Sequence, residues 1–501
     1  MKHILAIDQS TSATKGILFD AVGRVVDRFG LSHRQIQTKP GWVEHDAGEI
    51  WNNVLKVVRH LAKGNQSAFS RLAALSIANQ RETVVVFDRA TGHPLHHALV
   101  WQDRRGAPFC QKLNRRGLGP VITRKTGLNL DTYFSGSKLH WLVRNHPDLA
   151  RRLRNGSAVA GTMDAYLIHR LTGGRIFATD HTNASRTLLY NIHRLEWDKD
   201  LCRMFQVPVS ALPETRESSA SFGETDFCGL LPAKIPICGV MGDSQAALFA
   251  QQCFKPGQAK VTFGTGTSLL VNMGSKVQPA FPGGVTALAW VLKGQPTYAT
   301  EGLISYSAAT VEWLIQQMGL FQNSSELEPL ARSLDDNGGV YLVPAFAGLR
   351  TPRWDPDARA AIVGLSAFAG RAHVARAALE SIAYQIRDVL DAMKAGSGVR
   401  LKQICADGGP TQNDWLMQFT ADITGVKLFL ADKPEASAWG SAMQGLLGLG
   451  IHRNLKDLAE LDSKSRQFKR HLPASLAKQR YLGWQKAVQR VLSNRSLSIQ
   501  P

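Results

Sequence analysis

Two carboxylates in this chain stand at the ends of apolar runs, and each is followed closely by small hydroxyl-bearing residues. Asp243, in VMGDSQAALFA, precedes Ser244; Asp8, in HILAIDQSTSATK, precedes Ser10, Thr11, Ser12, Thr14 and Lys15. A carboxylate at a strand end can cap the helix that follows, or it can accept a proton from a substrate hydroxyl. The hairpin after Asp8 also has two readings. Asp and Ser are ordinary turn formers. Yet an acid facing a metal-bound water, beside amides, hydroxyls and Lys15, is also a receptor for phosphate oxygens. A second turn of this type, Gly264, Thr265, Gly266, Thr267 and Ser268, lies between AKVTF and LLV. Two such turns favour phosphate, because a nucleoside triphosphate needs several convergent donors.

Other residues fit the organic half of such a ligand. Adjacent Arg81 and Glu82, in SIANQRETVVVF, can grip vicinal hydroxyls, the acid accepting and the guanidinium donating; the plain alternative is a surface ion pair. Trp101 can wall a carbon chain or simply pack, and the Tyr133 hydroxyl can meet a ligand or close a core hydrogen bond. In DGGPTQN at 407–413, Gly408 and Gly409 let a flat ring such as adenine approach the backbone, with Asn413 near base or ribose. The same stretch also reads as a plain strand-to-helix turn.

The elements that must position these residues follow from pattern. ILAI, a polar turn and GILFD predict a strand hairpin over the first twenty residues. Asp46 with Glu49 predicts a capped helix whose apolar face is Ile50, Val54, Val57, Val58 and Leu61. Residues 74–101 predict two strands, LAALSIA and TVVVFD; 259–271 predict a second hairpin; 377–394 predict a long amphipathic helix. Residues 464–501 read as a basic, partly helical tail. Strands and helices alternate in both halves, which predicts a two-domain α/β protein with its cleft between the domains.

Composition bounds the partners. A 501-residue chain that is 44% hydrophobic and 20% charged has material for more than one core. No apolar run reaches membrane-spanning length, so stable membrane insertion is not expected, and the N-terminus does not read as a secretion signal. The six cysteines lack CxxC spacing and read as separate thiols in a reducing cytoplasm. A net charge of +19 favours anionic partners. Its basic stretches, such as RRGAPFCQKLNRR at 104–116, are not interleaved with stacking aromatics, and nucleic acid is not expected as a partner.

The chain resembles the FGGY carbohydrate kinases. YFSGSKLHWLVRN at 133–145 is similar to their first signature and AAIVGLSAFAGRAHVARAALE at 360–380 to their second. KPGWVEHD, NQRET, TNASRT, GDSQAALF and VPAFAGL look most like the glycerol kinase branch, and the resemblance runs from about residue 3 to about residue 490. It implies the actin-like fold of two ribonuclease-H-like domains, here 1–248 and 249–501. It also implies ATP- and Mg2+-dependent phosphorylation of a terminal hydroxyl of a small polyol, and a homo-oligomer, dimer or tetramer. Asp243 resembles the catalytic base, Asp8 the metal-facing carboxylate. Arg81, Glu82, Tyr133 and Asp243 match the polyol ligands, with Trp101 as the wall. Thr11, Ser12 and Lys15 match the first phosphate hairpin, Thr265 and Gly266 the second, and Gly409 and Asn413 the adenosine side.

The departures carry information as well. Ser244 stands where these kinases usually have glutamine, and Ser268 where they usually have phenylalanine. Both shorten the pocket wall and leave room for a four- or five-carbon polyol or ketose, unless a neighbour or a water refills the space. Smaller departures are Ser10, Ala13 and Lys15 in the first hairpin, and Ala308 with Glu312 near the nucleotide. LPAKIPICG lacks the Gly-Gly-x-Arg loop of relatives under sugar-bisphosphate feedback, and that regulation is not expected.

Overall fold

The computed structural model describes residues 2–493 apart from 278–280, 282, 432–434 and 462–465. Three strands open the chain as a meander: β1 (His3–Gln9), β2 (Ala13–Asp20) and β3 (Val25–Ser32). All of β1 is buried, whereas β3 alternates half-buried and exposed residues. That is the difference between a central strand and an edge strand with one wet face. β4 (Leu72–Asn79) lies parallel to β1. β5 (Ser221–Thr225) and β6 (Ile235–Gly242) complete the sheet in the order β5-β6-β4-β1-β2-β3, with β6 parallel to β4.

The second half repeats the plan. Its strands are β7 (Gln258–Phe263), β8 (Thr267–Gly274), β9 (Val285–Leu292), β10 (Gln295–Ile304), β11 (Gln403–Asp407), β12 (Lys427–Leu430) and β13 (Gln467–Phe468), in the order β9-β10-β8-β7-β11-β12-β13. β7, β8 and β10 are antiparallel neighbours, and β11 and β12 follow parallel on the other side of β7. Without the outer strands, the orders β3-β2-β1-β4-β6 and β10-β8-β7-β11-β12 are the same arrangement. The expected duplicated, actin-like α/β fold is what the chain adopts.

Helices cover the sheets: α1 (Ala47–Gly64), α2 (Ala107–Arg115), α3 (Ser135–Asn145) and α4 (Lys199–Phe205) in the first half, then α5 (Asp243–Ala250), α6 (Ala308–Gln316), α7 (Arg371–Ser397), α8 (Asp414–Thr424), α9 (Ala436–Gly448) and α10 (Ala474–Gln489). Asp46 caps α1 by accepting from the Gly48 and Glu49 amides at 2.8 and 3.2 Å. The Glu49 carboxylate turns to Arg34 rather than back to the cap, 3.5 Å away. The apolar face of α1 packs on Leu5, Ile7, Leu75 and Ile77 of the first sheet. A further core joins the halves: Ile4, Ala6 and Phe19 meet Leu270, Trp290, Trp439 and Met443. There α5 and α9 touch backbone to backbone, and a side chain at Gly440 would stand 1.8 Å from the Ala246 carbonyl.

Three expectations change in detail. The helix expected over 377–394 spans 371–397, because Gly370 and the left-handed Gly398 are its ends. The two strands expected within 74–101 belong to different sheets. Val84–Asp88 joins Glu44–His45, Ala98–Leu99 and Ala158–Thr162 in a separate four-stranded sheet. The stretch expected as a tail is structural where it is described: α10 buries Tyr481 and Trp484, which both bond Asp388. Residues 464–465 and 494–501 of that stretch lie outside the described residues. Among the described residues no helix is long and apolar enough to cross a membrane, and all six cysteines are free thiols.

Candidate active site

The parallel strands of both sheets end at one cleft of about 800 Å³, where open α/β sheets bind their ligands. β1 delivers Asp8 and β6 delivers Asp243, the first residue of α5. From the other side β7 brings Lys260 and Thr262, β8 brings Ser268, and β11 runs into Asp407, Gly408 and Gly409.

Asp243 is held from one side. Its Oδ1 lies 3.2 Å from Arg81 Nε and accepts the Ser244 amide at 2.6 Å. More than a third of its side chain is exposed, at 37%, so the carboxylate remains open to the cleft. Arg81 is itself fixed. Its Nη2 meets Glu301 Oε1 at 2.7 Å, and Glu301 Oε2 meets Arg186 Nη1 at 2.6 Å. Arg186 Nε donates to Glu82 Oε1 at 2.5 Å. The expected Arg81–Glu82 couple is therefore not a surface pair. Both are buried, and each binds an oppositely charged partner in an alternating row that crosses from one half to the other. Glu82 has φ +63°, a left-handed backbone that costs energy for a non-glycine residue and turns the chain out of β4. Burial pushes Glu301 up, but Arg186 and Arg81 outweigh it and hold the carboxyl at about 2. Burial pushes Glu82 up, and Arg186 and Arg81 offset this only in part.

Glu301 and Arg186 were not among the candidates read from sequence. The signal available for Glu301 was a lone acid in the otherwise uncharged strand QPTYATEGLI; Arg186 stood in the TNASRT motif, but its complete burial is visible only in the structure.

Tyr133 and Trp101 lie together, ring centroids 5.3 Å apart, in a pocket of about 670 Å³ that both halves line. The Tyr133 phenol is held well above its ordinary value, chiefly by burial and then by Glu82. Trp101 Nε1 donates to Thr11 Oγ1 at 3.0 Å. Thr11, expected among the phosphate donors, thus lends its hydroxyl oxygen to the aromatic wall, while Ser12 is exposed in the same turn. Lys15 lines the cleft across the strand pair from Asp8, but its ammonium is engaged by Glu435 Oε2 at 3.2 Å, which a phosphate would have to replace. Ser244 and Ser268 line the Asp8–Asp243 cleft and not the Trp101–Tyr133 pocket, so the room they leave opens beside Lys15. The Ser268 hydroxyl is buried without a hydrogen-bond partner among the described residues.

The turn at 264–268, expected as the second phosphate receptor, is tied to α6. The Thr265 carbonyl accepts the Ser307 amide at 2.8 Å, and the Gly264 carbonyl accepts that of Ala308 at 3.0 Å. A side chain at Gly266 would run into the Ile304 carbonyl, 2.4 Å away. Ala308 and the exposed Glu312 lie on α6, outside the cleft lining. The two glycines after β11 do different work. Gly408 has φ +99° and no room for a Cβ, which would stand 1.8 Å from the Phe263 carbonyl, whereas Gly409 faces open space. Asn413 is occupied as a helix cap, its Oδ1 accepting the Leu416 amide at 2.8 Å. The expected contact of Asn413 with base or ribose is left to its amide nitrogen.

The donor set suits a cation that keeps its waters. Asp8 Oδ1 is buried with no partner among the described residues, and burial, then the neighbouring Asp243, push Asp8 up to about 7 against the pull of Lys15. Positive charge between the two carboxylates would relieve both effects. Among the described residues no group of three His, Cys, Asp or Glu forms a metal cage. Mg2+ asks for none, because one or two carboxylates with water and phosphate oxygens complete its shell.

Comparison with known proteins agrees with this geometry. Residues 3–250 match the N-terminal domain and residues 259–449 the C-terminal domain of the FGGY family of carbohydrate kinases. The chain is 46% identical over 488 residues to a glycerol kinase of Symbiobacterium thermophilum, covering 97% of this chain and 98% of that one. Its structure is similar to that of a Plasmodium falciparum glycerol kinase crystallised with ADP. The TM-score is 0.94 at 36% identity, covering 98% of this chain and 99% of that one. A xylulose kinase of Lactobacillus acidophilus shares the fold, with a TM-score of 0.88 at 21% identity over 99% of both chains. A duplicated fold, a cleft at its strand ends and matches to both domain models lead to one conclusion: the chain belongs to the FGGY family of carbohydrate kinases.

Proposed function

We propose that the enzyme transfers the γ-phosphoryl group of ATP to a terminal hydroxyl of a small polyol, with glycerol as the substrate. The observation that carries this reading is Asp243, pinned through one oxygen by Arg81 and open to the cleft that Asp8 and Lys15 share. With Oδ1 engaged, the other oxygen accepts the proton of the attacking hydroxyl. Arg81, Glu82 and Tyr133 orient the polyol, and Trp101 walls its carbon chain. Lys15 and the turns at 10–15 and 264–266 receive phosphate oxygens; Gly409 leaves room for the adenine. Asp8 and Asp243 would hold Mg2+, which when bound neutralises charge on the β- and γ-phosphoryl oxygens. Closure of the two halves, which we divide at 248, excludes water that would otherwise compete as acceptor. The similarity to glycerol kinases over nearly the whole chain supports glycerol itself, and with it a cytoplasmic homo-oligomer.

A second reading, a four- or five-carbon polyol or ketose, rests on the short Ser244 and Ser268 and on the unpartnered Ser268 hydroxyl. Steady-state kinetics on glycerol, erythritol and xylulose separate the two. Glycerol is expected to give the highest kcat/KM; a preference for a longer substrate selects the second reading, and no ADP release with any of them overturns both. Asp243→Asn is expected to lower kcat by about 10²–10⁴-fold while ADP still binds. Undiminished turnover removes Asp243 from the mechanism.

A further inference from the structure

The basic run 104–116 contributes nothing to the cleft. Lys112 and Arg116 line instead a separate groove of about 790 Å³ between α2, α3 and α4, which shares no residue with the cleft or with the Trp101–Tyr133 pocket. Arg144 enters it from the last turn of α3 and Arg203 from α4. Two of the groove's cations are matched: Arg105 meets Asp103 and Glu44 at 2.8 and 2.7 Å, and Arg203 lies 3.6 Å from Asp200. Lys112, Arg116 and Arg144 have no carboxylate within ion-pair distance among the described residues.

Local preference explains part of this. Lys112 and Arg144 stand in the last turns of their helices, where the helix dipole favours a cation. It does not explain why separate elements turn their cations onto one groove, where unmatched like charges repel. Their closeness registers on His140 between them, whose basicity is lowered by burial and further by Arg144 and Lys112, against the Phe205 carbonyl. The wall behind them is aromatic: the Phe109 and His140 rings stack at 3.5 Å, and Trp141 lies over the Arg105 guanidinium at 4.7 Å. Because these rings are already engaged, little is left to stack nucleobases, and the volume is that of a small-molecule site.

We propose that this groove binds a small multivalent oxyanion, one carrying two or more phosphate or carboxylate groups. Calorimetric titration of the full chain tests it, using pyrophosphate in one arm and citrate in the other, with ADP and glycerol present to fill the cleft. One equivalent is expected to bind, and the double variant Lys112→Glu with Arg144→Glu is expected to weaken it by about tenfold or more at unchanged Tm. Binding of pyrophosphate alone assigns a phosphorylated ligand; binding of both assigns oxyanion charge as the determinant. If charge reversal lowers Tm, Lys112→Gln with Arg144→Gln gives the same comparison. The proposal is overturned if neither anion binds, or if binding is the same in the variants. It is also overturned if an unrelated oligonucleotide binds in their place with steep salt dependence.

Discussion

Asp8 and Asp243 face one cleft under different constraints. The first is buried with an unpartnered oxygen, whereas the second is partly exposed and paired with Arg81. Asp164 is a third carboxylate, outside the cleft and wholly buried. It accepts from Thr179 Oγ1 at 2.6 Å. Burial, and then Asp180, push it up from 3.8 to about 7. Between those values the folded chain keeps a proton that the unfolded chain has released. Stability from this group is therefore full at low pH and is lost as pH rises toward 7, by about 1.4 kcal/mol per pH unit. Asp164→Asn is expected to flatten that decline. Urea unfolding of both proteins from pH 5 to 7.5 checks it, and equal slopes would show that Asp164 already ionises near its ordinary value.

At the scale of elements, the turn between β11 and α8 holds one glycine that packing requires and one that faces open space among the described residues. Gly408→Ala puts a methyl group against the Phe263 carbonyl at a positive φ, and a loss of about 1–3 kcal/mol is expected. Gly409→Ala meets no atom of the described residues within 4 Å, so its Tm is expected to match the parent while its affinity for ADP falls. Thermal unfolding and ADP titration of both variants give the answer; normal ADP binding by Gly409→Ala would place the adenine elsewhere. The same turn shows what sequence conveys at this scale. DGGPTQN announces a strand, a turn and a helix, but says nothing of which glycine faces a carbonyl and which faces the cleft. The limits of α7 were equally hidden, because its apolar spacing marks the buried middle and not the glycine-bounded ends.

Across the whole molecule, the two halves are joined at the site by Glu301, which reaches from β10 to Arg81 and Arg186. Removing one partner from a buried charge row leaves the others uncompensated, at a cost of about 3–5 kcal/mol. Glu301→Gln is accordingly expected to lower Tm. It should also lower kcat, because Arg81 loses the contact that aims it at Asp243. Calorimetry with steady-state kinetics tests both, and a variant with parental Tm and kcat would show that the row neither ties the halves nor sets the site.

The sequence by itself determined the two similar strand hairpins, the capped α1, and Asp8 and Asp243 as the acids of interest, while the duplicated sheet plan was implied by the resemblance to the kinase family. These rest on local rules: alternation, turn chemistry, cap residues, and motifs that persist in the linear order. Only the tertiary structure decided that Arg81 and Glu82 bind partners other than each other, that Thr11 serves Trp101, that Asn413 is a cap, and that Ser244 and Ser268 open beside Lys15. Apart from the Asn413 cap, which is local, these depend on residues far apart in the chain, such as 81 and 301, which meet only when two sheets close over a common core. Spacing along a sequence records which residues share an element; it does not record which elements share a cleft.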